Sequence, residues 1–418
     1  MNLNIIKHIE SKIDDNLDKI LEFFKSNFEN HPPSVYNSVD LRHSGFKIAP
    51  VDTNCFPAGF NNVKDKYLEN AKIQAERHLQ KFHNIDEIKN IAIVGESHTR
   101  NLNYLANLKN LQEIFKFEGK NTFICSLDQD RDDEFELDIT DEQKILINKI
   151  TRTGDKLFVN QDTEIDLVIL NNDLTKYIPE IFDNLSTKII PTPQVGWHKR
   201  SKFNHFQIYN DLCEKLAAII DIDPWLISSY QNFLPTVDFK NRIGFEELAT
   251  AIDETMLKIS AKYDQYSIKQ SPFCYIKADS GTYGMAVTPI FSSADVHSFN
   301  KKLRNKMSSI KDSKQNTSVT IQEGIHTADS INSAVSEPLI YLVNGKVIAN
   351  LARANQGRDE TSSLNSAGAI FHNIDEEPQI NLGGELSSVK KAYWLTSTLA
   401  SLAASIEITN TILTNESQ

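Results

Sequence analysis

Apolar residues recur at two different periods along this chain of 418 residues. In residues 1–30, Ile6, Ile9, Ile13, Leu17, Ile20 and Phe24 follow helical spacing between charged positions, which predicts one amphipathic helix. Residues 31–63 interrupt this with Pro, Gly and Asn and read as a long irregular segment. Phe46, Ile48, Val51, Phe56 and Phe60 inside it argue against disorder. From residue 64 onward, short Ile- and Val-rich runs alternate with helical stretches: NIAIVG (90–95), NTFICSL (121–127), IDLVILN (165–171) and TKIIPT (187–192). Runs of that length ending in polar loops predict parallel strands buried on both faces. Ligands bind at the carboxyl ends of such strands. Those ends carry Glu96, Ser97, His98, Thr99 and Arg100 after the first run, and Asn171 and Asn172 after the third.

Past residue 196 the spacing predicts helices over 203–219, 245–263 and 294–311, and a last one over 389–412 with Leu395, Leu399, Leu402 and Ile406 on one face. Strands are expected at CYIKA (274–278), SVTIQEGI (318–325), EPLIYLVNG (337–345) and KVIANLAR (346–353), with the Asn344–Gly345 pair as a hairpin turn. The class is α/β, with an α+β C-terminal half. Three parts are expected: an N-terminal helix and irregular substrate segment (1–63), a parallel α/β domain (64–195), and a nucleotide-binding region ending in a helix (196–418).

Composition narrows the function. The net charge of −12 argues against nucleic acid as a partner, because phosphate backbones demand an excess of Lys and Arg. Four scattered cysteines suggest neither a zinc site nor a disulfide frame. No run of about 18 apolar residues exists to span a membrane, and the charged N-terminal helix does not read as a signal peptide, so a reducing cytoplasm is expected.

The chemistry begins at CYIKADSGTYGMAV (274–287), an apolar strand, a lysine and a loop with two glycines. Taken alone it fits a flap over phosphates, with Gly281 and Gly284 admitting an anion beside Lys277, or a plain hairpin turn with a snorkelling lysine. The order of the segments downstream favours the flap. VTIQEGI comes about 40 residues later, then EPLIYLVNGKVIANLARANQGRDETSSLNSAG. This progression resembles the nucleotide-binding half of ATP-grasp enzymes, and it implies an ATP-grasp-like fold preceded by the parallel α/β domain.

By that resemblance ATP and Mg²⁺ are the expected cofactors. Lys277 would meet the α-phosphate side of ATP, and Ser280, Gly281, Thr282, Tyr283 and Gly284 would close over the outer phosphates. Gln322, Glu323 and Ile325 would hold the adenine edge through the backbone, leaving the Glu323 carboxylate free. Arg353 would brace the transferred phosphoryl group, and Glu337, Glu360 and Asn365 would face the metal. Three features depart from the pattern: Leu339 stands where an arginine is usual, Leu364–Asn365 replaces Asn-Leu, and no late acidic-x-Asn pair is present, EITN (407–410) lying inside the predicted last helix.

The stretches GWHKRSKFNHFQIYN (196–210), DIDPWLISSYQNFLP (221–235) and SVDLRHSGFKIAPVDTNCFPAGFNN (38–62) extend the likeness. Together they resemble the proteobacterial-type glutamate–cysteine ligase family over roughly residues 35–385. That resemblance implies an acyl phosphate formed on the glutamate side chain and attacked by the amine of cysteine. Arg42, Lys47, Asp52, Asn54 and Arg200 are the candidate substrate residues; each also reads as a structural ion pair, and Trp197 and Trp225 read as core or rim aromatics. The alternatives are a ligase for another amino-acid pair and a non-catalytic ATP-binding regulator. A dinucleotide enzyme is disfavoured, since GESHTRN is not G-x-G-x-x-G.

Overall fold

Three sheets organise the computed structural model, which describes residues 5–96, 100–130, 132–280, 286–308, 316–376, 380–381 and 386–416. The first is antiparallel, with strands in the order Ile370–Asn373, Lys346–Asn355, Ala334–Val343, Tyr36–His43 and Ile48–Asn54, and two short strands, Ser330–Ile331 and Ile380–Asn381, at its side. The second begins with the parallel strands Lys188–Ile190, Leu167–Asn171, Asn90–Gly95 and Asn121–Ser126. The third is a four-stranded antiparallel sheet in the order Gln231–Leu234, Val319–Glu323, Cys274–Ala278 and Val287–Ile290. The class is therefore mixed α/β, as the alternation of runs implied.

Four expectations need correction. Residues 31–63 are not irregular: Tyr36–His43 and Ile48–Asn54 form a hairpin in the first sheet, Tyr36–His43 pairing with Ala334–Val343 in its interior and Ile48–Asn54 forming its edge. Its charged residues hid the strand pattern, because they are buried in ion pairs instead of lying in solvent. The N-terminal helix is two, Ile5–Asp15 and Leu17–Asn30, broken at Asn16, whose side chain bonds the Lys12 carbonyl at 3.1 Å. The 294–311 helix becomes Ala294–His297 and Lys301–Met307, because Asn300 caps a new start through Leu303 N at 2.9 Å. Finally, Glu134–Asp138, Lys144–Thr153, Lys156–Val159 and Thr163–Glu164 add an antiparallel extension to the second sheet.

The Asn344–Gly345 turn has φ of 53° and 69°, the paired left-handed geometry that this dipeptide tolerates. The last helix, Leu386–Glu416, is more than a one-faced amphipathic element. Residues 395–405 are buried all round, and their Ala, Ser and Thr side chains let it thread between the Lys202–Ile220 helix and the N-terminal hairpin.

Candidate active site

Glu337 and Arg353 are direct cross-strand partners, and Glu337 Oε1 accepts from Arg353 Nη1 at 2.7 Å. Arg353 also donates to both oxygens of Asp40, at 3.1 and 3.4 Å. The second Glu337 oxygen accepts from Arg42 Nε at 3.2 Å. Arg42 then reaches the carbonyls of Ile325 (3.2 Å), Glu360 (3.3 Å) and Ser362, tying the first strand to the segments after both later strands. Burial disfavours the charge on Arg353, but Asp40 and Glu337 more than offset it and hold its pKa above the ordinary value. Burial also pushes the Asp40 carboxyl up; Arg353 opposes this, while Glu337 and Asp52 add to it.

Lys277 approaches the same hairpin from the other sheet. Its Nζ donates to the Val51 carbonyl at 2.8 Å and to Gln322 Oε1 at 2.6 Å. Burial lowers its pKa to about 7, against the support of Asp52. Asp52 itself accepts from Lys202 at 2.9 Å and stands directly opposite Asp40 in the hairpin. Burial raises the Asp52 carboxyl, yet Lys202 and Lys277 outweigh it and the net shift is downward. The ammonium of Lys277 and the guanidinium of Arg353 thus contact adjoining strands of one hairpin, a shared support that their separation of 76 positions conceals in the sequence.

Beside this cluster lies a cavity of about 330 Å³. Of the expected residues it is lined by Asp52, Asn54, Arg353 and Asn365. It is also lined by Asp40, Asn101, Tyr104, Asp173, Trp197 and Phe371, which the sequence pattern did not assign to a ligand. Asp173 follows the parallel strand Leu167–Asn171, so the cavity sits at the carboxyl end of that sheet. Asn171 supports its wall, donating to the Pro57 carbonyl at 2.9 Å. SVDLRHSG contained the only available hint of Asp40, an acid two positions before a candidate arginine.

The other expected residues lie apart. Lys47 is buried against Glu323 (2.7 Å) and over the Trp225 ring (4.1 Å). The Glu323 carboxylate is not free: it also accepts from Trp225 Nε1 at 3.0 Å and Tyr230 N at 3.0 Å. Arg200 pairs with Glu407 at 2.9 Å, contacts His205 at 3.3 Å and donates to the Thr53 carbonyl. Trp197 lies beneath Lys202 at 3.9 Å, and Arg100 is exposed. Ser280 is half-buried just beyond Cys274–Ala278; Gly281, Thr282, Tyr283 and Gly284, like Ser97, His98 and Thr99, lie outside the described residues.

The residues expected to face a metal do not make a cage. Both Glu337 oxygens are held by guanidinium groups, the Glu360 side chain is 55% exposed, and Asn365 sits on the cavity wall. Among the described residues no group of three or more His, Cys, Asp or Glu is arranged to hold a metal ion. None of the described helices is long and apolar enough to cross a membrane.

The profile of the glutamate-cysteine ligase family, GshA, matches residues 10–408. This chain belongs to that family. Membership makes it a ligase and implies the use of ATP. A crystal structure from Methylobacillus flagellatus KT, provisionally named a gamma-glutamylcysteine synthetase, is 34% identical, with a TM-score of 0.89 over 98% of this chain and 97% of that one. Two weaker likenesses are a D-alanyl-alanine synthetase A from Vibrio cholerae (11% identity, TM-score 0.36, 74% and 79% of the two chains) and a glutathione synthetase-like effector from Globodera pallida (9%, 0.39, 87% and 82%). No curated protein matches the sequence.

Proposed function

We propose that this ligase joins the side-chain carboxylate of L-glutamate to the amine of L-cysteine, forming γ-glutamylcysteine at the expense of ATP. A carboxylate is a poor electrophile, and transfer of the terminal phosphoryl group turns it into an acyl phosphate with phosphate as leaving group. Lys277, Gln322 and Ile325 would border the nucleotide, and the Ser280–Ala286 loop would cover its phosphates.

The observation that carries this reading is Arg353. Its two Nη groups are anchored by Asp40 and Glu337, its Nε is buried without a partner, and the residue lines the cavity. A buried N–H left unmet costs about 1–3 kcal/mol, which an oxygen of a bound anion would recover. An arginine already locked in place stabilises charge developing on a transferred phosphoryl group without reorganising first. Arg42, Lys47 and Arg200 direct their charge at protein groups, so their part is to hold the walls against which the substrates lie. Asp52 and Asn54 remain on the substrate side of those walls.

The test is ADP release with single amino acids and with pairs, the product identified by mass spectrometry and its linkage by NMR. Release that needs both glutamate and cysteine, with a γ-linked product, supports the reading. Turnover with a different pair, or with neither, overturns it.

A further inference from the structure

Among the described residues the strand Ile48–Asn54 ends the first sheet, so its outer carbonyls have no neighbouring strand to pair with. Side-chain cations take that place. Lys277 donates to the Val51 carbonyl at 2.8 Å, and Arg200 donates through Nη1 to the carbonyl of Thr53. Thr53 separates Asp52 and Asn54, which as alternate strand residues share one face and both line the cavity beside Arg353. Arg200 also lies over the ring of Trp197, 4.9 Å from its centre, and Trp197 lines the same cavity. The Trp197 backbone is tied to the Asp173 carbonyl at 2.9 Å, but its indole N–H is buried without a partner. Packing and the cations Arg200 and Lys202 therefore set the place of the ring.

Arg200 is aimed in turn by the last helix. Its Nε and Nη2 bond the two oxygens of Glu407 at 2.9 and 3.0 Å, a two-point fit that fixes the plane of a guanidinium as well as its distance. That grip leaves Nη1 to reach Thr53. His205 Nδ1 stands 3.1 Å from the second Glu407 oxygen. Burial disfavours the charge on Glu407, but Arg200 and His205 outweigh it and hold the carboxyl at about 2, so it is ionised at neutral pH. Resting on the ligase reading above, in which this cavity receives an amino-acid substrate, we infer that Glu407 is a positioning residue: through Arg200 it fixes the edge strand and the Trp197 ring that form one wall of the amino-acid site. The EITN stretch (407–410) thus serves substrate binding from the last helix, with both Glu407 oxygens taken by Arg200.

Glu407→Gln keeps the size of the side chain but leaves the guanidinium one acceptor oxygen and no opposite charge, so the Arg200 fork can turn. KM values for glutamate, cysteine and ATP are compared in this variant and in the unmodified enzyme, at a temperature where urea unfolding shows both to be folded. KM for glutamate or for cysteine should rise about 10-fold, while KM for ATP stays within about 2-fold. Unmoved KM values for both amino acids, a fall in kcat alone, or an equal rise in KM for ATP overturns the inference. A merely structural pair lowers the amount of folded enzyme and not its affinity for one substrate. Arg200→Lys is the second variant: one ammonium keeps the attraction to Glu407 and much of the stability, but cannot serve Glu407 and Thr53 together. It should show the same selective rise with a smaller loss of Tm, and normal KM values there overturn the inference even if Glu407→Gln does not fold. Turnover by the unmodified enzyme that needs neither glutamate nor cysteine sinks the ligase reading itself, and this inference with it.

Discussion

Glu337 and Arg353 face each other across adjacent strands at 2.7 Å, and both ends of this pair continue into further ion pairs, Glu337 to Arg42 and Arg353 to Asp40. The four side chains have relative exposures between 3% and 15%. A chain of charges this well buried holds only if every member keeps its partner, since a stranded buried charge is far more costly than a missing surface bridge. The same arrangement explains why the strand Tyr36–His43 belongs in the interior of the sheet: Asp40 and Arg42 complete a network whose other half comes from residues 337 and 353.

Replacing Arg353 by Ala strands Asp40 and leaves Glu337 with Arg42 as its remaining guanidinium partner. The expected loss is about 3–5 kcal/mol of stability, with no measurable turnover. Arg353→Lys retains one charge but cannot reach both carboxylates, so it should fold better than Arg353→Ala while kcat stays at least about 100-fold down. Urea unfolding alongside steady-state kinetics checks this, and a lysine variant with near-normal kcat would defeat it.

Lys277 carries a pH signature. Its pKa in the folded protein is about 7 against an ordinary 10.5, so between those values the unfolded chain binds more protons and stability rises with pH. The penalty of burying the charge is fully present below about pH 7. Phosphates placed beside the lysine favour its charged form. ATP binding should therefore take up a proton on the alkaline side of that value, and affinity should weaken as pH climbs. Calorimetry in buffers of different ionisation enthalpy measures the uptake; if Lys277→Met takes up as much, the lysine is not the group responsible.

Lys47 and Glu323 form a second buried pair, with side chains 1% and 0% exposed. Lys47→Met leaves the carboxylate with Trp225 and Tyr230 as donors but no opposite charge, and should cost about 3–5 kcal/mol. Adding Glu323→Gln removes the stranded charge and should restore much of the loss. Equal urea midpoints for the single and double variants would show that the charge is not what matters.

Gly324 follows Glu323 and leaves no room for a side chain: a Cβ there would lie 2.4 Å from the ring of Phe273, which is fully buried. Gly324→Ala must push that ring aside, at about 1–3 kcal/mol. Trimming the ring with Phe273→Leu in the same chain should recover part of the lost Tm. No change in Tm for Gly324→Ala alone would mean that the ring moves freely.

Much of the fold was legible from local pattern alone. The parallel runs at 90–95, 121–126 and 167–171, the helix over 202–220, the Asn344–Gly345 turn and the strand carrying Lys277 each depend on residues that are neighbours in the chain, where periodicity and turn chemistry act. The spacing of a lysine strand, a Gln-Glu-Gly-Ile strand and an arginine hairpin is also linear, and it was enough to point to a ligase. The N-terminal hairpin was not legible, because Asp40, Arg42, Lys47 and Asp52 look like a loop until their distant partners bury them. The cavity residues Asp40, Asp173, Trp197 and Phe371 come from four separate stretches, and only packing of the sheets brings them to one wall. Local propensities are written in the order of residues; which charge meets which across more than two hundred positions is a property of the folded packing, since it depends on which pairs can be buried together.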